Sequence, residues 1–203
     1  MLQHPTPRLI LASASESRRS LLAAAGLAFE CVIARVDEAT VKQAARAEAV
    51  SADEAALLLA SLKAGRVART HPDAVVIGAD QILVCDGLWF DKPADAVEAG
   101  EHLRQLRDRC HTLVTAVVCQ RGETPLWQHV ATPRLTMRNF SDAFLDAYLA
   151  AEGDALLSSV GAYRLEGPGV HLFDRIEGEQ AAILGLPLLA LLGFLRQHRV
   201  LVA

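Results

Sequence analysis

Short apolar runs alternate along this chain with segments of helical spacing, and no other feature of the sequence constrains the fold as strongly. The most apolar run, AVVIGA at residues 74–79, lies directly before Asp80. Earlier runs at 8–12 and 29–34 are separated from it by an amphipathic helical pattern over 53–70. Strands that alternate with helices are typical of α/β proteins. We therefore expect an α/β fold with a mixed sheet.

Local patterns predict the remaining elements and the faces of two helices. The helix predicted over 53–70 has an apolar inner face made of four residues: Ala55, Leu58, Leu59 and Leu62. In the helix predicted over 16–25, which Gly26 ends, Arg18 and Arg19 lie off the apolar face. Further helices are predicted at 94–106, 141–151 and 187–198, further strands at 81–85, 88–90, 112–119 and 126–137, and a loop or weak helix at 39–51.

The composition is that of a globular protein. Of the 203 residues, 52% are hydrophobic and 22% are charged, which supplies enough apolar material for a core and excludes a disordered chain. The formal net charge of -4 gives no reason to expect a nucleic-acid polymer as a partner. We expect a single domain over residues 1–203.

No segment predicts a membrane span or a signal peptide. The longest apolar run, residues 181–195, is shorter than the roughly 18–20 residues that a spanning helix needs. The N-terminal residues lack the long apolar region of a signal peptide, so we expect a cytoplasmic protein that does not bind membranes.

The cysteines show no CxxC spacing and are expected to be free and to act as small hydrophobic residues: Cys31, Cys85, Cys110 and Cys119.

The first candidate site follows the strand predicted at 8–12. Ser13, Ser15, Arg18 and Arg19 lie where a helix begins, and the free backbone N–H groups at a helix N-terminus favour an anion. Arginine adds a planar fork that suits phosphate oxygens. The alternative is that Ser15 only caps the helix and that both arginines are solvated.

The second candidate is Asp80, which follows an apolar strand at the edge where open α/β sheets bind ligands. A charge next to so apolar a strand needs a partner. Asp37 and Glu38, also expected at a strand end, offer a second carboxylate for a shared divalent cation, and oxygen ligands of this kind suit magnesium or manganese. The alternatives are a turn residue at Asp80 and a solvated acidic pair at 37–38.

Two lysines and one glycine-rich segment complete the candidates. Lys63 lies at the edge of the apolar face of its helix, and Lys92 follows a predicted hairpin, so either one is a candidate cation for an anionic ligand or a solvated side chain. In residues 161–169 (GAYRLEGPG), glycines permit close backbone approach, and Glu166 offers acceptors to the edge of a ring.

Taken together, these residues resemble those of the Maf-like nucleoside triphosphate pyrophosphatases. The matching motifs occur in the order of the family and cover nearly the whole chain: LILASASESRR at 9–19, VDE at 36–38, LASLKA at 59–64, VIGADQIL at 76–83, DKP at 91–93, HTLVTAV at 111–117, GAYRLEGPG at 161–169 and LGLPL at 184–188.

The resemblance implies hydrolysis of a nucleoside triphosphate between its α and β phosphates, which yields a monophosphate and pyrophosphate. It implies a twisted mixed sheet with flanking helices, two lobes around a deep cleft as in the inosine triphosphatase-like fold, a divalent metal and a homodimer. By motif, Asp80 matches the catalytic proton acceptor. Residues that match phosphate- and metal-handling positions are Ser13, Arg18, Glu38, Lys63 and Lys92, and Glu38 with Asp80 would hold the metal.

Three positions separate the branches of the family. Gln81 and Glu166 match the branch associated with 7-methyl-GTP, in which a carboxylate suits a cationic methylated purine. Ser17 departs from it, because that branch has tryptophan there. We therefore expect 7-methyl-GTP as the substrate. The alternatives are a pyrimidine or broad nucleotide pyrophosphatase, which the missing aromatic ring favours, and a nucleotide-binding regulator of septum formation with little turnover.

Overall fold

The computed structural model describes residues 2–202, which divide into two compact units. The first unit contains the residues up to Gln81, Thr115–Ala131 and the residues from Glu179 onward. The second unit contains Ile82–Val114 and Thr132–Gly178. Each unit is assembled from segments that are distant in the chain, so no linker in the sequence marks a boundary. The single domain over 1–203 stays a prediction.

The described residues form eight strands and seven α-helices, which confirms the α/β class and the mixed sheet. The strands are β1 (Leu9–Leu11), β2 (Glu30–Cys31), β3 (Val75–Cys85), β4 (Leu88–Phe90), β5 (Cys110–Arg121), β6 (Thr124–Ala131), β7 (Arg134–Met137) and β8 (Phe173–Glu177). The helices are α1 (Glu16–Ala24), α2 (Glu38–Ala47), α3 (Ala52–Ala68), α4 (Ala96–Leu106), α5 (Asp142–Glu152), α6 (Gln180–Ile183) and α7 (Leu188–Gln197). The sheet order is β2-β1-β3-β5-β7-β8, with β4 paired to β3 and β6 paired to β5.

Strand β1 lies between β2 and β3 and pairs in parallel with both. Its three residues are buried, as expected for a parallel strand that is covered on both faces. The prediction of a strand over 29–34 is wrong in its length, since β2 has only two residues. The reason lies in β1, which is too short to offer hydrogen-bond partners beyond Val32.

Helix α3 packs unusually close to β3 through small side chains. A Cβ atom added to Gly78 would lie 2.2 Å from the carbonyl oxygen of Ala60 and 2.7 Å from the amide nitrogen of Ala64. The predicted apolar face of α3 is therefore partly wrong. Leu58 and Leu62 are 47% and 40% exposed, because the alanine face is the one that contacts β3.

Polar side chains cap the N-termini of α2, α3 and α5. Ser51 and Glu54 form a reciprocal capping box at the start of α3, and the Ser141 hydroxyl accepts a hydrogen bond from Phe144 N at the start of α5. Residues 39–51, predicted as a loop or weak helix, contain most of α2. The Asp37 carboxylate caps that helix by accepting from Thr40 N.

The apolar run at 181–195 is divided by a turn into two short helices. Gly185 lies in this turn with φ +100°, a backbone conformation that favours glycine. The turn separates α6 from α7, which begins after Pro187. Within residues 2–202, no helix has the length and apolar character needed to cross a membrane.

All four cysteines are free, as predicted, but only two of them pack as hydrophobic residues. Cys85 and Cys119 are buried, and burial raises the pKa of both thiols. Cys31 and Cys110 are exposed, contrary to the prediction. Cys31 lies on a two-residue strand whose residues are both exposed, and Cys110 is the first residue of β5.

The second unit contains an aromatic cluster formed by the buried residues His111 and Tyr163 and the half-buried Phe173. The Nε2 atom of His111 lies 2.8 Å from the Tyr163 hydroxyl, and both rings pack against Phe173. His111 is 1% exposed, and its Nδ1 atom has no hydrogen-bond partner among the described residues. Burial lowers the pKa of His111 to about 4. The imidazole is thus neutral in the folded protein at physiological pH.

The free energy of unfolding is expected to fall by about 3 kcal/mol as the pH decreases from about 6.5 to about 4. In this range the unfolded chain takes up a proton on His111, whereas the folded protein does not, so acid favours unfolding. Urea denaturation of the wild type and of His111→Gln at several pH values measures the effect. Equal pH slopes in the two proteins would contradict it.

Candidate active site

The side chain of Lys63 joins two carboxylates in the first unit. Its Nζ atom donates to Asp80 Oδ1 at 2.6 Å and lies 2.8 Å from Glu38 Oε1. Lys63 is 6% exposed, so the alternative that it is a solvated side chain is wrong. Helix α3 buries Lys63 together with Leu59, one turn earlier, and the lysine is stabilised there by its ion pairs.

Asp80 lies within β3 and not at its end. The strand continues to Cys85, so the expectation that the strand ends at Asp80 is wrong. The expectation that the charge of Asp80 needs a partner is met by Lys63. Asp80 is 3% exposed, and its Oδ2 atom is buried with no hydrogen-bond partner among the described residues. Lys63 therefore fixes one carboxylate oxygen and leaves the other able to accept a proton or a hydrogen bond.

Glu38 reaches Lys63 from the first turn of α2. The expected strand end at 37–38 is wrong, because this segment begins a helix. Hydrogen bonds from Thr40 lower the pKa of the Asp37 carboxyl, which serves as the cap. Of the acidic pair, only Glu38 contacts Lys63, and its side chain is half-buried.

Arg18 is buried on the inner face of α1, which contradicts the prediction that it lies off the apolar face. Its Nε atom donates to the carbonyl oxygen of Gly185 at 2.7 Å. Burial lowers the pKa of the Arg18 guanidinium, and the charges of Asp80 and Glu38 oppose that shift. The guanidinium is thus held by a distant backbone carbonyl in the electrostatic field of the two carboxylates.

The serines before α1 organise its N-terminus. Ser15 is the cap, accepting a hydrogen bond from Arg18 N at 3.4 Å. The Ser13 hydroxyl accepts from Ser15 N at 3.1 Å and from Arg18 Nη1 at 3.3 Å. Arg19 is exposed and pairs with Glu16 on the same helix. Ser13, Ser15 and Arg18 are therefore brought together, and Arg19 is not.

Gln81 follows Asp80 and is bound to the protein through its amide nitrogen. Nε2 lies 2.8 Å from Thr115 Oγ1 and 3.1 Å from each of the carbonyl oxygens of Ala182 and Ile183. Residue-by-residue reasoning missed Thr115 and these carbonyls, because nothing in a single segment reveals such contacts. The available signal was the motifs HTLVTAV and LGLPL, which contain or adjoin these residues.

The remaining predicted residues are more exposed. Ser17 is half-buried in the first turn of α1. In the second unit, Lys92 is exposed after β4, and Glu166 is exposed between two short 3₁₀ segments. Near Glu166, Arg164 pairs with the buried carboxylate of Glu152 at 3.5 Å.

The site suits a divalent cation that is bound in part by other ligands. Among residues 2–202 there is no group of three or more His, Cys, Asp or Glu side chains that could hold a metal alone. Asp80 and Glu38 nevertheless provide hard oxygen donors, and Asp80 Oδ2 is an orphaned buried acceptor. Magnesium commonly binds through one or two carboxylates together with substrate phosphates and water. The residues present fit such an ion.

The arrangement has the groups needed for chemistry on an anionic substrate. One buried carboxylate has an unused oxygen, a lysine fixes its other oxygen, and an oriented guanidinium lies in the field of that carboxylate. Such sites work by positioning and by stabilising developing charge.

Comparisons with known proteins agree on one family. The family described as Maf-like protein matches residues 8–198. A nucleoside triphosphate pyrophosphatase of Granulibacter bethesdensis is 60% identical over 194 residues, which cover 96% of this chain and 98% of that protein. A protein of the same name from Rhodospirillum rubrum is 49% identical, over 97% of this chain and 98% of that protein. A 7-methyl-GTP pyrophosphatase of Rhizobium meliloti is 50% identical, over 94% of this chain and 96% of that protein.

Proposed function

Because the chain belongs to the family of Maf-like proteins, we propose that it is a nucleoside triphosphate pyrophosphatase. Water would attack the α phosphorus, the bond to the bridging oxygen would break, and a nucleoside monophosphate and pyrophosphate would leave. The observation that carries the proposal is the buried Lys63–Asp80 pair with its unused Oδ2 atom. The names of the relatives support the reaction class.

In this proposal Asp80 orients the attacking water and accepts its proton at Oδ2. The ion pair with Lys63 fixes the rotation of the carboxylate, because Oδ1 is held at 2.6 Å. A positioned general base contributes typically about 100- to 10,000-fold to a rate. Asp80 is thus the residue whose loss matters most to kcat.

Arg18, Lys63 and Ser13 bind the phosphates. Lys63 Nζ has three protons, two of which are directed to Glu38 and Asp80, so the third is available to a phosphate oxygen. The terminal nitrogens of Arg18 offer further donors beyond the contacts with Gly185 and Ser13. Arg19 and Lys92, assigned to substrate handling by sequence, stay predictions.

Asp80 and Glu38 would hold a divalent cation, magnesium or manganese, when nucleotide is present. A bound cation of this kind supplies charge neutralisation on the phosphates and a lower pKa for water. The chain's own contribution is to keep both carboxylates beside Lys63 and to orient Asp80.

As the substrate we propose 7-methyl-GTP, the nucleotide in the name of the Rhizobium meliloti relative, a 7-methyl-GTP pyrophosphatase. Gln81 supports this choice in one respect. Because its Nε2 atom is engaged by three acceptors, its Oε1 atom is the one that remains to accept a hydrogen bond from a base. Glu166 would supply a negative charge, which attracts a cationic methylated purine. The cytoplasmic location and the homodimer stay predictions.

A substrate panel tests the proposal. Pyrophosphate release would be measured from 7-methyl-GTP, GTP, dTTP, UTP and CTP with magnesium, with manganese and with chelator. Selective turnover of 7-methyl-GTP supports the full proposal. Faster turnover of pyrimidine nucleotides, the alternative that the missing aromatic ring at Ser17 favours, would support the proposed reaction but contradict 7-methyl-GTP as its substrate. Nucleotide binding without pyrophosphate release would leave a binding regulator instead.

Glu166→Gln is expected to lower the preference for 7-methyl-GTP over GTP by about tenfold, the ratio that corresponds to one charge-assisted hydrogen bond. The ratio of the two kcat/KM values measures it. Glu177→Gln, an exposed position on β8, is the matched control and should leave the ratio as it is. An unchanged ratio in Glu166→Gln would remove Glu166 from base selection.

A further inference from the structure

The exit of helix α6, residues 182–185, is held by side chains from two strands. We call these residues the α6 exit turn. Gln81 donates to the carbonyl oxygens of Ala182 and Ile183, and the Thr115 hydroxyl donates to that of Ala182 at 2.9 Å. Two side chains from β3 and β5 therefore fix the beginning of the turn.

Thr115 is the residue that joins this arrangement together. It is 0% exposed, and its hydroxyl accepts from Gln81 at 2.8 Å while it donates to Ala182. Valine has nearly the same shape and suits the interior of a strand equally well. A hydroxyl at this buried position is favourable only because both of its hydrogen bonds are made. The Thr115 hydroxyl thus indicates that its hydrogen bonds with Gln81 and Ala182 have a function.

The end of the same turn determines where Arg18 lies. Arg18 Nε donates to the carbonyl oxygen of Gly185 at 2.7 Å, and this bond is buried. A Cβ atom on Gly185 would lie 3.2 Å from Arg18 Nε, so the backbone approaches the guanidinium closely. A small displacement of the turn would therefore rotate or shift the guanidinium.

We propose that Thr115 is a positioning residue for pyrophosphate release. Together with Gln81 it fixes the α6 exit turn, the turn fixes the Gly185 carbonyl, and that carbonyl directs the terminal nitrogens of Arg18 toward the phosphates. The inference rests on the proposed function, in which Arg18 binds the phosphates. It assigns to Thr115 an effect on the reaction without any contact with substrate.

Thr115→Val is expected to lower kcat by about tenfold, with KM changed by less than about threefold, because the loss of orientation acts on the transition state. Thr115→Ser keeps the hydroxyl and is expected to restore most of the lost rate. Thr70→Val is the control, since the Thr70 hydroxyl donates to Val67 O at the exposed end of α3. Equal kcat values in wild type and Thr115→Val would overturn the inference.

Combination with Arg18→Lys separates positioning from a general loss of stability. Lysine has no Nε–H to donate to Gly185, so Thr115→Val should have no further effect on kcat in that background. Independent, multiplicative losses would show that Thr115 does not act through Arg18, and would overturn the proposal.

A spectroscopic measurement tests the arrangement without turnover. The Arg18 Nε–H signal, assigned by its loss in Arg18→Lys, should exchange slowly with solvent in the wild type because the bond to Gly185 is buried. In Thr115→Val its exchange should become faster, and an unchanged signal would overturn the inference. If the wild type releases no pyrophosphate from any nucleotide, the proposed function fails, whereas this signal still reports on Thr115.

Discussion

Asp80→Asn is expected to lower kcat by about a thousandfold or more and to leave nucleotide affinity within about tenfold of the wild type. The carboxamide keeps the volume of the buried side chain but cannot take a proton from water. Lys63 keeps its ion pair with Glu38, so the variant is expected to fold. Single-turnover pyrophosphate release measures the rate, and calorimetric titration with nucleotide measures the affinity.

The matched control for this prediction is Asp86→Asn. Asp86 is an exposed aspartate in the turn between β3 and β4, where its carboxylate pairs with Arg109. It follows the last residue of β3, Cys85, and belongs to the second unit. If Asp80→Asn and Asp86→Asn released pyrophosphate at similar rates, Asp80 would not be the general base.

Gly78→Ala is expected to reduce the free energy of unfolding by about 3 kcal/mol or more, at the upper end of what overpacking costs. The added Cβ atom would lie 2.2 Å from Ala60 O and 2.7 Å from Ala64 N, and both are backbone atoms of α3. The helix cannot move away easily, because Lys63 connects it to Asp80 on the same strand. Chemical denaturation measures the change.

A second glycine supplies the control for that prediction. Gly193 lies within α7, and a Cβ atom added there would meet no atom within 4 Å. Gly193→Ala is expected to increase stability by about 0.5–1 kcal/mol, since alanine favours the helix and restricts the unfolded chain. A Gly78→Ala protein as stable as the wild type would show that α3 and β3 are less tightly packed than the structure has them.

The elements that the sequence predicts well are those whose signals are local. The run at 74–79 is apolar enough to identify most of the buried part of β3, and Ser141 and Pro187 mark the starts of α5 and α7. A serine cap or a proline directly before the first turn acts on its own helix, so no distant contact is needed to interpret it.

Predictions fail where a distant partner decides the environment. Arg18 looks solvated in its own helix, and Lys63 looks peripheral, but ion pairs and a carbonyl from other segments allow both to be buried. Leu58 and Leu62 are exposed because Gly78, on another element, admits only small side chains from α3. Amphipathic patterns cannot contain this information.

The candidate site shows the same division. Asp80 could be singled out by its position after an apolar strand, and its pairing with Lys63 and Glu38 depends on how three elements pack. Thr115 and the Gly185 carbonyl were not predicted individually. A threonine in a strand is ordinary, and a backbone carbonyl has no signature in the sequence.

The ion pairs of Lys63 also determine the electrical balance of the site before any substrate binds. Asp80 and Glu38 contribute two negative charges, and Lys63 and Arg18 contribute two positive ones, so their sum is zero. The protein therefore offers a triphosphate correctly oriented donors but little excess positive charge from these four groups. If the proposed function holds, a counterion bound to the nucleotide would supply the neutralising charge that these four groups do not.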